Sequence, residues 1–156
     1  MTVPTIEDKL RQMGLELPEP PKPVASYVPC VRTGNLLFVS GQVPREKGEL
    51  KFRGHVGADV SVEEGRSAAR LCALSALAAI KGEIGDLNLL LRIVKVTGYI
   101  SSGAGFTEQP KVLDGASLFL VELLGDKGKH ARAAVGVNEL PLGVSVEIDM
   151  VVEVES

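Results

Sequence analysis

The sequence predicts an α+β protein: a mixed β-sheet with two main helices on one face. Three observations lead there. Ser61-Val62-Glu63-Glu64 matches a capping box, and behind it Leu71, Leu74, Ala78 and Lys81, like Ala69, Cys72, Ala76 and Ile80, advance at helical spacing. Val144, Val146, Ile148, Met150, Val152 and Val154 alternate with mostly polar residues, the signature of a strand with one buried face. The element order, two or three strands, helix, strand, helix, two strands, suits one layer of helices on one sheet.

Taken in order, Thr5 caps a short helix, with Asp8 three residues on and Gly14 to end it. Residues 17–29 carry Pro18, Pro20, Pro21, Pro23 and Pro29 and read as an extended surface arm, because repeated prolines fix φ and remove backbone donors. We therefore divide the chain into an N-terminal helix and arm, 1–22, and a single domain, 23–156. Cys30-Val31-Arg32 and Leu36–Ser40 read as strands about a Thr33-Gly34-Asn35 turn, and glycine-punctuated residues 45–60 as a hairpin or loop. The alanine-rich face of the helix from Ser61 to Gly85 fits close packing on a flat partner. Residues 91–101 make a central strand with an irregular boundary. Thr107 opens the second helix, with Pro110 in its first turn and Gly125 at its end. Strands 131–138 and 144–154, joined through Glu139-Leu140-Pro141-Leu142-Gly143, complete the sheet. Its second face has no layer left to cover it, so oligomerisation is expected.

Composition bounds the function. The 156 residues suit one domain, and 45% apolar content supplies a core without disulfides or metal. A net charge of −3 argues against general nucleic-acid binding. The start lacks the basic and apolar regions of a signal peptide, and the longest near-apolar run, Leu71–Ile80, is too short to span a bilayer; we expect a cytoplasmic protein with no membrane partner. His55 and His130 share no ligand spacing with Cys30 or Cys72, so no metal site is expected. Walker, dinucleotide-binding, zinc-protease and nucleophile-elbow motifs are absent. Cys72, on the alanine-rich helix face, reads as a small buried hydrophobe, while Cys30 stays open as a thiol with no assignable base.

Arg132 interrupts the run Ala131–Val137, and its same-face neighbours Ala134 and Gly136 are too small to shield it. Such a guanidinium has room for a carboxylate ligand held bidentately, or it pairs with a glutamate on a solvated face; spacing alone favours the pair. Glu147, Ser40-Gly41-Gln42 and Tyr27, each taken singly, suggest a solvated carboxylate, a strand end and an arm aromatic.

Together these residues resemble the YjgF/Rid family, from about Pro23 onward. Tyr27, Gly34-Asn35 and Phe38-Val39-Ser40-Gly41-Gln42-Val43-Pro44 are similar to the family's early segment. Arg132-Ala133-Ala134-Val135, Leu140-Pro141 and Val146-Glu147-Ile148 are similar to its R-x-x-V, L-P and V-E-I ending. The resemblance implies a chorismate-mutase-like fold, a homotrimer with clefts between subunits, and hydrolysis of enamines or imines such as 2-aminoacrylate to 2-keto acids and ammonia, with no cofactor. It gives Arg132 the substrate carboxylate, Glu147 the water or proton, and the Tyr27 hydroxyl, with backbone groups near Ser40-Gly41, the completion of the pocket and the positioning of the imine nitrogen. The pattern departs from the family at Ala25-Ser26 (G-P), at Ala134 (cysteine) and at Asp114 (asparagine), the last adding negative charge if it lines the cleft. Two further functions stand beside deamination. One is cleavage of single-stranded RNA with translation inhibition, for which only Lys127, Lys129, His130 and Arg132 offer a local contact. The other is non-catalytic binding of small carboxylates as a regulator.

Overall fold

The computed structural model describes residues 2–22 and 26–156. Pro23, Val24 and Ala25, part of the arm and of the G-P position, lie outside the described residues. The sheet contains β1 (Cys30–Thr33), β2 (Leu36–Gln42), β5 (Leu90–Ser101), β6 (Ala131–Val137) and β7 (Val146–Val154) in the order β1-β2-β7-β5-β6. β5 and β6 run parallel and the other pairs antiparallel, so the sheet is mixed. β3 (Arg45–Glu46) and β4 (Glu49–Leu50) form a separate small hairpin.

Three helices accompany the sheet: α1 (Ile6–Gln12), α2 (Val62–Ile84) and α3 (Gln109–Leu124). Thr5 and Asp8 cap α1 reciprocally, and Ser61 and Glu64 cap α2 in the same way, each satisfying two free backbone donors. α2 buries Ala68, Ala69, Cys72, Ala73, Ala76 and Ala79, whose short side chains let it lie close to the sheet. It lies equally close to α3. A Cβ built on Gly115 would sit 2.1 Å from the Arg66 carbonyl oxygen, so only glycine permits the approach. The core lies between these helices and the even-numbered residues of β7, from Val146 to Val154, all buried. α1 buries Ile6 and Leu10, and Glu7 meets Lys81 of α2 at 2.7 Å. The arm then runs back along α2, where Pro20 packs on Gly82.

Three expectations need correction. Thr107 does not cap α3: the cap is Glu108 without a side-chain bond, because Pro110 at the helix start removes one donor and the Lys111 N–H goes to the Glu108 carbonyl. The last strand begins at Val146, since Val144 instead bridges to Arg53 and the Ser145 N–H goes to the Phe52 carbonyl. The sequence also reads Arg92, Val94 and Val96 as alternating against Ile93, Lys95 and Thr97, but in β5 that alternation breaks between Ile93 and Lys95, where the register slips and puts Ile93 and Val96 on the same buried side.

Candidate functional site

The period-two register assigns the candidate residues to faces. Odd residues of β7 point away from the helices, so Glu147 stands opposite Tyr99 of β5, and Asp149 opposite Thr97, on the uncovered face. On the far side of β7, the pairing of β2 shifts between Val39 and Gln42, leaving Ser40-Gly41 as a bulge against Asp149. A Cβ on Gly41 would lie 2.7 Å from Glu147 Oε2, so the carboxylate rests on the glycine. The Ser40 hydroxyl donates to the Val28 carbonyl at 2.7 Å, and its N–H to the Pro29 carbonyl at 2.9 Å. That ties the segment carrying Tyr27 to the bulge. Tyr27 is 61% exposed, and with Ser40 and Gly41 it lines one cavity.

Glu147 is half-buried, and burial, reinforced by Asp149, raises its carboxyl above the usual range. Tyr99 donates its hydroxyl proton to Asp149 Oδ2 at 2.9 Å, and this bond holds the phenol protonated to higher pH than usual. The site therefore carries a carboxyl with an enhanced grip on its proton beside a phenol–carboxylate pair.

Arg132 stands elsewhere. In the parallel register it lies beside Val96, whose side chain is buried toward the helices, so Arg132 and Glu147 occupy opposite faces of the sheet. Its Nη1 donates to Asp114 Oδ1 at 2.8 Å and to the Ser117 hydroxyl oxygen at 3.1 Å, and Nη2 reaches the Pro110 carbonyl at 3.4 Å. The guanidinium is thus paired, and with Asp114 of α3 rather than a glutamate. His130 Nδ1 lies 2.6 Å from the Gly128 carbonyl, which only accepts, so Nδ1 carries the proton. Nε2 then accepts from the Ser117 hydroxyl at 2.9 Å, leaving the Ser117 oxygen to receive Arg132. Every partner in this chain has one consistent role. Its effect is to fix the fork on the α3 side.

Within one chain the structure sets Gly41 against Glu147, lines one cavity with Tyr27, Ser40 and Gly41, and separately joins Arg132 to Asp114. Sequence reasoning missed Tyr99, Asp149, Ser117 and His130 as members. Ser117 had a signal, three residues after Asp114 on one helix face. Tyr99 and Asp149 become visible only through the β5–β7 register. The thiols take no part. Cys72 is fully buried against the Val146 carbonyl, and burial pushes Cys30 up to about 12.

A mixed sheet under two long helices, with its polar residues on an open face, is the chorismate-mutase-like class of α+β protein. The family described as "YjgF/chorismate_mutase-like, putative endoribonuclease" matches residues 7–154, and the chain belongs to it. Protein TCP17 of Trypanosoma cruzi is 40% identical over 148 residues, 94% of this chain and 92% of the relative. The crystal structure of Atu1372 from Agrobacterium tumefaciens, a protein of unknown function, is 44% identical with a TM-score of 0.91, covering 97% of this chain and 93% of that one. The structure of Escherichia coli TdcF with bound serine is 26% identical with a TM-score of 0.61, covering 88% and 94%.

Proposed function

We infer that the protein hydrolyses reactive 2-imino acids and their enamine tautomers to 2-keto acids and ammonia, in clefts between the subunits of a homotrimer. The observation that carries this reading is Glu147: a half-buried carboxyl with a raised proton affinity, seated on Gly41, on a sheet face that no element among the described residues covers. Family membership and the bound serine of TdcF, a small amino acid, support a ligand of this size and charge.

In the reaction, the carboxylate of a 2-imino acid is held by Arg132 of one subunit, through the N–H groups of its fork that Asp114, Ser117 and the Pro110 carbonyl leave free. Glu147 of the neighbour takes a proton from water as the oxygen attacks the imine carbon and gives it to the nitrogen, then carries the second proton from the new hydroxyl to the amino nitrogen as the C–N bond breaks. Ammonia leaves and the carbonyl forms, so water is the only co-reactant. Tyr27, Ser40 and Gly41 shape the wall. The imine is already electrophilic, so orientation and one proton relay suffice.

RNA cleavage, the other activity in the family's description, finds less support here. Lys129 pairs with Asp126, His130 with Ser117 and Arg132 with Asp114, so of the four basic residues near 130 three already have partners and only Lys127 has none among the described residues.

The test is release of ammonia from 2-aminoacrylate generated in situ. Glu147→Gln should slow turnover by about 100-fold or more while the product keto acid still binds. No acceleration by the wild-type protein over spontaneous hydrolysis would reject the reading. Unchanged binding without turnover would identify a carboxylate-binding regulator instead.

A further inference from the structure

The hydrogen-bonded chain where α3 meets β6 contains one group that changes charge near neutral pH. His130 Nδ1 donates to the Gly128 carbonyl at 2.6 Å, Nε2 accepts the Ser117 hydroxyl at 2.9 Å, and the Ser117 oxygen receives Arg132 Nη1 at 3.1 Å. The other Nη1 hydrogen goes to Asp114 at 2.8 Å, so Nη1 is fully committed. Among the described residues Nε has no partner, and Nη2 has only the Pro110 carbonyl at 3.4 Å. Nε and Nη2 form the side-on edge of a guanidinium, which takes a carboxylate through two parallel bonds. Ser117 and Asp114 thus leave that edge for a ligand.

This chain of donors requires a neutral imidazole, and histidine changes charge between about pH 5 and 8. Once protonated, Nε2 is a donor; the Ser117 hydroxyl hydrogen must then turn away while its oxygen accepts from both Nε2 and Arg132. The fork keeps its place, and a second positive charge stands one hydroxyl away from it. Around His130 the charged groups are Asp114 and Glu122 of α3, Asp126, Lys127 and Lys129 of the turn before β6, Lys95 of β5, and Arg132 itself. Four cations thus face three carboxylates, and two of the carboxylates, Asp114 and Asp126, are already paired. We propose that Ser117 and His130 are positioning residues for Arg132, and that His130 tightens the hold of Arg132 on a carboxylate when it gains a proton. The inference rests on the deaminase reading only for the carboxylate as ligand. An anion on the fork favours the imidazolium, so affinity rises as pH falls through the titration of His130. By reciprocity the bound anion raises the proton affinity of His130 by the same factor, roughly three- to tenfold for charges this far apart in a half-exposed setting.

The experiment measures the Kd of pyruvate from about pH 8.5 down to about pH 5.5, the range in which histidine titrates. Wild type, His130→Gln and Ser117→Ala are compared, and the ring C–H signals of His130 are followed by NMR with and without pyruvate. The glutamine amide can still accept from Ser117 but cannot become a cation. It should therefore match wild type at high pH and lose the extra three- to tenfold tightening in acid. Glu147 takes up protons in both proteins, so the difference between them isolates His130. Pyruvate should shift the His130 titration upward by the same factor. Ser117→Ala keeps the imidazole and should weaken binding roughly fivefold at every pH, the worth of one hydrogen bond. Equal pH slopes in wild type and His130→Gln, a His130 titration that pyruvate does not move, or no pyruvate binding would overturn the proposal; unchanged binding in Ser117→Ala would overturn the positioning role of Ser117. The expected slopes without turnover of any imine would reject the deaminase and leave this subsite standing. Turnover with a slope that His130→Gln leaves intact would do the reverse.

Discussion

Glu147 becomes charged against its surroundings. Its folded-state affinity for a proton is raised by burial and by Asp149, while in the unfolded chain it titrates as an ordinary carboxyl. Between the unfolded and folded values the native state holds more protons, so stability falls as pH rises through that window and the penalty is constant above it. Glu147→Gln should remove the penalty, raising Tm by about 1–3 °C at pH 7.5 and by nothing at pH 4. Thermal unfolding of both proteins at the two pH values checks this, and an equal gain at both would show that charge is not the cause. The sequence showed Glu147 as a polar residue on an amphipathic strand. Its unusual proton affinity depends on Gly41 and Asp149 pressing close, and Gly41 reaches it only because β2 bulges, a feature no residue pattern announces.

At the scale of elements, legibility followed the strength of the local signal. Ser61-Val62-Glu63-Glu64 and the alternation after Val144 predicted α2 and β7 well, because caps and periodicity act within a few residues. Arg132 was harder. Its strand and its small neighbours were readable, but the Asp114 and Ser117 that hold its fork come from α3, and whether they reach it depends on how α3 crosses β6. That crossing is set partly by Gly115, where the backbones of α2 and α3 nearly touch. Gly115→Ala would thrust a methyl group into the Arg66 carbonyl, which cannot swing aside as a side chain does. We expect a loss of about 2–4 kcal/mol in chemical denaturation, comparable with other overpacked core positions. A loss below about 0.5 kcal/mol would mean that the helices separate freely and do not fix the position of Arg132.

For the whole molecule, the decisive fact is that Arg132 and Glu147 lie on opposite faces of one sheet. No rotamer carries either side chain through the sheet, so a cleft using both residues must draw them from two copies of the chain. Val31, Phe38 and Val135, all substantially exposed, lie on the same open face as Glu147, where a second copy would cover them. This arrangement makes a sharp demand. Arg132→Ala and Glu147→Gln proteins, each nearly inactive alone, should regain activity when unfolded together and refolded as a mixture. In a 1:1 mixture of subunits assorting at random around a ring, one interface in about four joins an intact Arg132 to an intact Glu147, so recovery should approach a quarter of the wild-type rate. A site complete within each chain predicts no recovery. A mixed trimer confirmed by mass spectrometry yet still inactive would separate the two residues into unrelated roles and leave Arg132 as the structural partner of Asp114.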